Sequence, residues 1–334
     1  MCYCVPKTID GDLKNSFIEI SFGFDTAAKI YSEMIGNIAR DATSAKKYTH
    51  FIKLMGRSAS HLALECALAT RPNITLIGEE VAEKKLTLKE IISDLSDVIQ
   101  KRSEAGKNYG IILIPEGLIE FIPELMLLIK ELNNASFESK ENLNLSEEVK
   151  KTYEALPPEI QNQLLLDRDP HGNVQVSMIE TEKLLIALIQ KELKERGFKG
   201  KFNPQSHFFG YEGRSGYPSN FDSQYCYSLG KTATILIKEK YTGYMACVGN
   251  LTSPISEWKI RGLPLTMFMN LEIRKGKKKP VIKKALVDLN GGPFNFFCEN
   301  RESWIFEDNY RYPGPIQFFG DPELVNEVPI SLKF

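Results

Sequence analysis

Apolar residues in the first part of the chain alternate between two spacings. Spacings of three and four predict helices, and these lie at residues 25–38 (with Asp25 or Thr26 as the cap), 61–70, 87–99 and 123–132. Short apolar runs predict strands at residues 74–77 and 109–114, and an alternating pattern predicts one at 48–54. Because strands and helices alternate with short connections, the pattern indicates an α/β fold with a parallel sheet covered by helices.

The second part of the chain is organised differently. From residue 133 to 145 the composition is polar, which suggests the start of an insertion, and residues 146–148 then open a helix. Residues 177–180 are predicted to cap a longer helix that Gly197 ends. A Gly-rich, aromatic loop at 207–222 follows an apolar strand and precedes a helix, and another strand is predicted at 244–248.

Polar loops come directly after three predicted strands. They are residues 7–12, the Gly56-Arg57 pair and the Glu116-Gly117 pair. In parallel α/β sheets, ligands bind where strands end at their carboxyl edge. We therefore expect these loops to share a site.

Composition and charge narrow the classes of protein. The 334 residues are 43% hydrophobic and 25% charged with a formal net charge of −1, which gives no general attraction to nucleic acid or to anionic membranes. Six scattered cysteines without a CxxC pair indicate thiols in a reducing compartment rather than disulfides or zinc ligands. With no apolar run of membrane-span length and no recognisable leader, we expect a cytoplasmic protein.

The stretch PKTIDGDLKN at residues 6–15 is the first candidate for chemistry. Its Asp-Gly step is typical of a surface turn, which collects polar residues for its own reasons. The alternative is that Lys7 holds a phosphate, Asp10 accepts a proton and Asp12 holds a metal ion. Local sequence leaves both interpretations open.

Further polar candidates are Arg57, Glu116, Tyr211 and Arg214. Arginine binds phosphate through a planar fork and glutamate accepts hydrogen bonds from sugar hydroxyls, so the set suits a phosphorylated, hydroxyl-bearing substrate. Ordinary surface ion pairs are the alternative for each. The basic run at 274–284 is interpreted as a solvated hairpin or an added phosphate contact rather than a nucleic-acid site. Neither GxGxxG nor GxxxxGK[ST] is present.

Several motifs together resemble the phosphofructokinase family. They are PKTIDGDLKN, MGRSASH (55–61), ILIPEGLIEFIPE (112–124), FFGYEGRSGYPSNFD (208–222) and YPGPIQF (312–318). The resemblance runs in order through nearly the whole chain and is greatest to the long-chain, pyrophosphate-dependent branch. It implies a phosphofructokinase-like α/β fold with two Rossmann-like parallel-sheet domains and a helical insertion.

The resemblance also implies roles for single residues. Asp10 corresponds to the base that accepts the proton of the fructose 6-phosphate 1-hydroxyl, Asp12 to a carboxylate associated with Mg²⁺, and Thr8 to a substrate contact. Met55, Gly56 and Arg57 match the sugar-phosphate loop. Glu116 matches the residue that holds sugar hydroxyls, and Tyr211 and Arg214 match contacts to the 6-phosphate.

Lys7 distinguishes two branches of the family. Pyrophosphate-dependent members resemble this chain in having lysine there, whereas ATP-dependent members typically have glycine. The implied reaction is reversible phosphoryl transfer from pyrophosphate to fructose 6-phosphate in glycolysis. An ATP-dependent enzyme and a non-catalytic, sugar-phosphate-binding or regulatory subunit are the alternatives, and family members are oligomers.

One part of the family pattern is not found. Members have a glycine-rich section with a GGDDS-like donor loop before the TIDGD motif, and nothing similar precedes residue 7 here. We therefore expect residues 1–21 and 212–275 to form an incomplete donor domain. Residues 22–132, 198–211 and 276–334 would form the fructose 6-phosphate domain, with the insertion at 133–197. A truncated or split enzyme, inactive alone, is the expectation.

Overall fold

The computed structural model describes residues 3–57, 59–134, 145–168, 172–274, 277–316, 320–321 and 325–334. Its helices are α1 (Phe24–Ala45), α2 (His61–Thr70), α3 (Gly78–Lys84), α4 (Leu88–Glu104), α5 (Pro123–Asn134), α6 (Glu147–Ala155), α7 (Pro158–Leu166), α8 (Thr181–Glu195), α9 (Tyr211–Arg214), α10 (Asn220–Lys238) and α11 (Gly292–Glu307). Its strands are β1 (Tyr3–Cys4), β2 (Thr49–Leu54), β3 (Ile74–Thr75), β4 (Gly110–Pro115), β5 (Pro204–Phe209), β6 (Tyr244–Gly249), β7 (Lys259–Pro264), β8 (Met269–Arg274) and β9 (Lys277–Ile282). Short 3-10 helices include Glu116–Glu120 and Val176–Met178.

The larger sheet has the order β3-β4-β2-β5, and all of its pairs are parallel. The central strands β2 and β4 are buried along their whole length. Burial on both faces explains the continuous apolar run of β4, whereas β2 (THFIKL) also buries polar side chains. Helices cover both faces, with α4, α5 and α8 in one hydrophobic cluster and α1 and α10 in another. The predicted α/β class is confirmed.

The smaller sheet has the order β1-β6-β7. Strands β1 and β6 are parallel, and β7 returns antiparallel to β6. Helix α10 packs on this sheet and also reaches α1, so it connects the two sheets. The basic run falls in an antiparallel hairpin of β8 and β9, which agrees with the predicted hairpin.

The predicted helix cap is correct for α4 and wrong for α1. Thr87 and Glu90 form the capping box of α4 through reciprocal hydrogen bonds. Asp25 and Thr26 do not cap α1, because the helix begins at Phe24 after Gly23 and both side chains turn toward α10. Both residues are buried there.

The start of α8 also differs from the prediction. Residues 177–180 supply no side-chain cap: part of this stretch is a 3-10 helix, and Glu180 precedes α8 without capping it. The helix ends as predicted, with Gly197 at a φ of 68°. Strand β3 is shorter than predicted, and β5 includes residues 207–209 of the predicted loop.

The predicted insertion is helical where the structure describes it, in α6, α7 and α8. Residues 135–144, most of the polar stretch at its start, lie outside the described residues, as do Gln317 and Phe318 of the last motif. A buried lysine connects the insertion to the sheet: the Lys53 ammonium donates to the Ile179 carbonyl oxygen at 2.9 Å and lies 3.5 Å from a Glu182 carboxylate oxygen. This link lies two residues before Met55.

Candidate active site

The register of the parallel sheet brings three strand ends together. Leu54, the last residue of β2, pairs with Pro115 of β4 on one side and with Phe209 of β5 on the other. The segments that leave these strands begin at Met55, Glu116 and Gly210. They therefore start side by side at the carboxyl edge, where ligands bind in such sheets.

A hydrogen bond joins two of these segments. The backbone N–H of Gly56 donates to the Glu116 carboxylate at 2.8 Å. Glu116 is only 1% exposed, and burial raises its pKa, although the Gly56 N–H and the charge of Lys53 oppose the rise. The carboxylate fixes the turn after β2 and, with two oxygens, can accept further hydrogen bonds.

The segment from Lys7 to Asp12 is an ordered loop rather than a plain surface turn. Lys7 is exposed and bridges to Phe22. Thr8 accepts a hydrogen bond from the Asp10 N–H at 3.1 Å, and its carbonyl oxygen accepts from the Ser21 hydroxyl at 2.8 Å. These bonds hold the backbone around Asp10.

Gly11 allows this loop to pack against α2. Its φ is +73°, and an added Cβ would lie 2.8 Å from the His61 Cβ. A side chain would therefore be excluded by both conformation and space. Glycine is therefore required after Asp10 because the loop packs closely against α2 at this point.

Asp10 lies between cations and a second carboxylate. It is 6% exposed, and one of its oxygens lies 3.8 Å from Nε of Arg57, whose side chain is 76% exposed. Burial is the main cause that raises the pKa of Asp10, and Asp12 adds to it, whereas Arg57, Lys284 and Lys7 act in the opposite direction. A carboxylate with a raised pKa is a better proton acceptor near neutral pH.

Tyr211 and Arg214 lie on the third strand-end segment. Both are exposed on the short helix α9, and the Arg214 guanidinium carbon lies 5.3 Å from the centre of the Tyr211 ring. The buried Tyr31 hydroxyl donates to the Gly210 carbonyl oxygen at 2.6 Å, and the Met55 N–H donates to the Phe209 carbonyl oxygen at 2.9 Å. Arg57, rather than Arg214, forms the ion pair with Asp10.

The residues around Asp12 suit a magnesium ion bound largely through substrate. No cluster of three His, Cys, Asp or Glu side chains arranged for a metal occurs among the described residues. Asp12 instead stands beside Asp10 and raises its pKa, the effect of two neighbouring negative charges. Mg²⁺ is commonly held by one or two carboxylates together with phosphate oxygens and water. The donor set therefore fits such an ion.

Sequence reasoning missed the polar network behind the site. The Asp222 carboxylate accepts from the N–H groups of Gly23 and Thr26, at 3.0 and 2.8 Å, and from the Thr26 hydroxyl. Ser219 donates to Asp25, so the start of α10 is bound to the start of α1. Burial raises the pKa of Asp25 to about 7. The sequence signal for this network was the polar character of its members at the starts of two amphipathic helices, α1 and α10.

Residues 1–237 match the family model of phosphofructokinase. The chain belongs to the phosphofructokinase family. It is 55% identical over 348 residues to pyrophosphate–fructose 6-phosphate 1-phosphotransferase from Treponema pallidum, a match that covers 98% of this chain and 61% of that protein. It is 56% identical over 325 residues to pyrophosphate–fructose 6-phosphate 1-phosphotransferase subunit beta 2 from Arabidopsis thaliana, covering 94% of this chain and 57% of that subunit.

The fold of this phosphofructokinase-family chain is also found in a solved structure. It is similar to the crystal structure of pyrophosphate-dependent phosphofructokinase from Nitrosospira multiformis, with a TM-score of 0.50 and 15% sequence identity. That match covers 98% of this chain and 65% of the other. The chain thus spans roughly 60% of the length of the relatives named above.

Two further observations concern membrane-spanning helices and cysteines. Within the described ranges, no helix combines the length and apolar character needed to cross a membrane. The described cysteines are free thiols, and Cys66 and Cys247 are buried. Burial raises the pKa of the Cys66 thiol to about 12, which makes it a poor nucleophile.

Proposed function

We propose that this chain supplies the catalytic base and the sugar-phosphate site of a pyrophosphate-dependent phosphotransferase. The reaction moves a phosphoryl group from pyrophosphate to the 1-hydroxyl of D-fructose 6-phosphate, giving fructose 1,6-bisphosphate and phosphate. The ion pair between Arg57 and Asp10 is the observation on which the proposal rests, because it joins the loop of residues 7–12 to the edge of the larger sheet.

In the proposed reaction, Asp10 accepts the proton of the sugar 1-hydroxyl. The hydroxyl oxygen forms a bond to one phosphorus of pyrophosphate, and the bridging P–O bond breaks with its electron pair leaving on phosphate. Phosphoryl transfer of this kind depends mainly on alignment and on neutralising charge. The burial of Asp10 supports its role, because burial raises its proton affinity.

Substrate binding is proposed for the three strand-end segments. Arg57, Tyr211 and Arg214 are exposed at or next to the carboxyl edge, where their charge and hydrogen-bond donors suit phosphate oxygens. Glu116 accepts hydrogen bonds from sugar hydroxyls, while its bond to Gly56 keeps Met55 and Gly56 in place. Thr8, in the loop of residues 7–12, contacts the transferred group.

Magnesium is the proposed cofactor, with Asp12 as its protein ligand. A bound Mg²⁺ ion neutralises phosphate oxygens during phosphoryl transfer. Asp12 is half-buried in the loop that the Ala285 N–H fixes by donating to the Asp12 carbonyl oxygen at 2.7 Å. The backbone bond leaves the Asp12 carboxylate available.

Pyrophosphate rather than ATP is the proposed donor. Lys7 adds positive charge near Asp10, and its charge opposes the rise in the pKa of Asp10. A small, highly charged donor has no adenosine group to anchor it, so an added cation is most useful there. The smaller sheet, with parts at residues 3–4 and 244–264, is the proposed donor-domain portion, and the larger sheet the sugar-phosphate domain.

We also propose that the chain assembles with copies of itself or with a related subunit. One relative is named as a subunit beta, which supports an assembly. The subunit alternative, a sugar-phosphate-binding chain that completes a partner, differs from the proposal only in turnover. A cytoplasmic location stays a prediction from the sequence.

Phosphorus NMR of the 334-residue chain with fructose 6-phosphate and Mg²⁺ tests the proposed reaction. Pyrophosphate and ATP are supplied separately, and Asp10→Asn is the matched control. Bisphosphate formed from pyrophosphate by the native sequence alone supports the proposal and overturns the expectation that the chain is inactive by itself. Formation from ATP alone would overturn the choice of donor. Binding of fructose 6-phosphate without turnover from either donor, with turnover rescued by a partner chain, would favour the subunit alternative.

A further inference from the structure

The basic hairpin ends close to the proposed base. Strand β9 ends at Ile282, which pairs with Met269 of β8, and the Lys283 N–H donates to the Phe268 carbonyl oxygen at 3.3 Å. The chain then leaves the hairpin at Lys284, which is exposed. The next residue, Ala285, contacts the loop of residues 7–12.

Two backbone contacts of Ala285 fix this position. Its N–H donates to the Asp12 carbonyl oxygen at 2.7 Å, and its carbonyl oxygen lies 3.1 Å from Nε2 of His61. The segment after β9 is therefore bound both to the loop that holds Asp10 and to the first turn of α2. Lys284 stands one residue from these contacts.

A buried glutamate extends the attachment. One oxygen of the Glu79 carboxylate accepts from the Val287 N–H at 3.0 Å and from the Ser60 N–H at 3.1 Å. Glu79 thus joins the segment of Lys284 to the chain that follows Arg57. Because backbone groups make these contacts, replacing the Lys284 side chain does not remove them.

Lys284 therefore lies beside the loop that holds Asp10. It is exposed, it is one residue from the Ala285 N–H that donates to the Asp12 carbonyl oxygen, and its charge acts on the carboxylates of Asp10 and Glu120. A phosphoryl group received next to Asp10 would meet this charge. Lysine is a flexible point charge suited to phosphate oxygens.

We propose that Lys284 binds the phosphoryl group that is transferred, as a third cation beside Lys7 and Arg57. This inference rests on the proposed function, since it needs that group to arrive next to Asp10. In fructose 1,6-bisphosphate the transferred group is the 1-phosphate, which fructose 6-phosphate lacks. Lys284 therefore discriminates between the two sugar phosphates.

Calorimetric titration with each sugar phosphate in the presence of Mg²⁺ tests the inference. The variants are Lys284→Met, the adjacent control Lys283→Met, and Arg57→Met as a control for the sugar-phosphate site, with thermal unfolding to compare folding. Lys284→Met should weaken fructose 1,6-bisphosphate binding by about tenfold, the size expected for one charge-assisted contact. Its fructose 6-phosphate binding should change less than twofold, and Lys283→Met should match the native sequence for both ligands.

The outcomes distinguish a failure of the Lys284 inference from a failure of the proposed function. Equal behaviour of Lys284→Met and Lys283→Met would overturn the inference and leave the proposed function intact if Arg57→Met loses both ligands. An equal loss of both ligands in Lys284→Met would also overturn it, because the residue would then act on the whole site. If the native sequence binds neither sugar phosphate, the proposed function fails first and the inference with it.

Discussion

The backbone N–H of Gly56 donates to the Glu116 carboxylate at 2.8 Å, across 60 residues of sequence. This bond joins the segments that leave β2 and β4, and it is buried. Glu116 therefore combines two roles in our account: it holds the turn that presents Arg57, and it faces the sugar. Substitutions that keep or remove its acceptor should separate these roles.

We expect Glu116→Ala to be less stable than Glu116→Gln. The alanine leaves the buried Gly56 N–H without its acceptor, which costs about 1–3 kcal/mol. The glutamine keeps an acceptor oxygen, so its free energy of unfolding should lie closer to that of the native sequence. Urea unfolding of both variants is the measurement, and equal stabilities would show that the bond does not hold the turn.

In any preparation of the chain that turns over, alone or with a partner, Asp10→Asn should lower turnover, and it should leave the fold at least as stable at pH 7. The pKa of Asp10 is raised in the folded protein, so ionised Asp10 disfavours folding, and its contribution to stability falls as pH rises above the ordinary aspartate value of 3.8. Loss of a general base typically costs about 10²–10⁴ in rate.

Thermal unfolding at pH 7 and the phosphotransferase assay, made on the same preparation, check both parts of this prediction. An asparagine variant that keeps full turnover would remove Asp10 from the reaction. A large drop in melting temperature would instead mean that the pair with Arg57 outweighs the cost of burying the charge.

Lys7→Gly should weaken pyrophosphate binding by about tenfold, because one charge-assisted contact to the donor is lost. Binding of fructose 6-phosphate should be nearly unchanged, since Arg57, Tyr211 and Arg214 are the proposed contacts to the sugar phosphate. Calorimetric titrations with pyrophosphate, ATP and fructose 6-phosphate provide the comparison. Unaltered pyrophosphate affinity would contradict the role of Lys7 in donor choice.

A pair formed by buried His50 and half-buried His207 predicts a loss of stability in acid. Nδ1 of His50 on β2 lies 2.9 Å from Nε2 of His207 on β5, and burial followed by the charge of His207 lowers the pKa of His50 to about 4. The unfolded chain therefore binds a proton that folded His50 does not, between about pH 6.5 and about pH 4.

In that window, stability should fall as pH decreases, by at most about 1.4 kcal/mol for each pH unit from this group. His50→Gln should flatten the pH dependence of the free energy of unfolding relative to the native sequence. Urea unfolding at several pH values measures it. Parallel curves for the two proteins would show that His50 does not cause the acid sensitivity.

Strong local signals explain which parts of the fold could be predicted from sequence. The apolar run of β4 and the Thr87–Glu90 capping box are local signals, so they can be recognised without the tertiary structure. Asp25 has a signal that points the wrong way, because an acidic residue before an apolar helix is typical of a cap. It instead accepts from Lys29 in its own helix and from Ser219, which is 194 residues away and is brought to it only by the packed structure.

The difference between local signals and long-range contacts also applies to the candidate site. The strand-end rule correctly predicted that the segments after β2 and β4 meet, since register in a parallel sheet follows from the strands themselves. Lys284 could be seen only as one of many lysines in a basic run. What sets it apart is the contact of Ala285 with Asp12, a long-range bond that no spacing in the sequence indicates.

Hydrogen exchange with and without fructose 6-phosphate tests most directly whether these segments form one sugar-phosphate site. We expect slower exchange in the segments around Asp10, Arg57, Glu116 and Tyr211 together, with helix α6 of the insertion unchanged as an internal control. Protection limited to one of these segments, or none at all at saturating sugar phosphate, would show that they do not form one sugar-phosphate site.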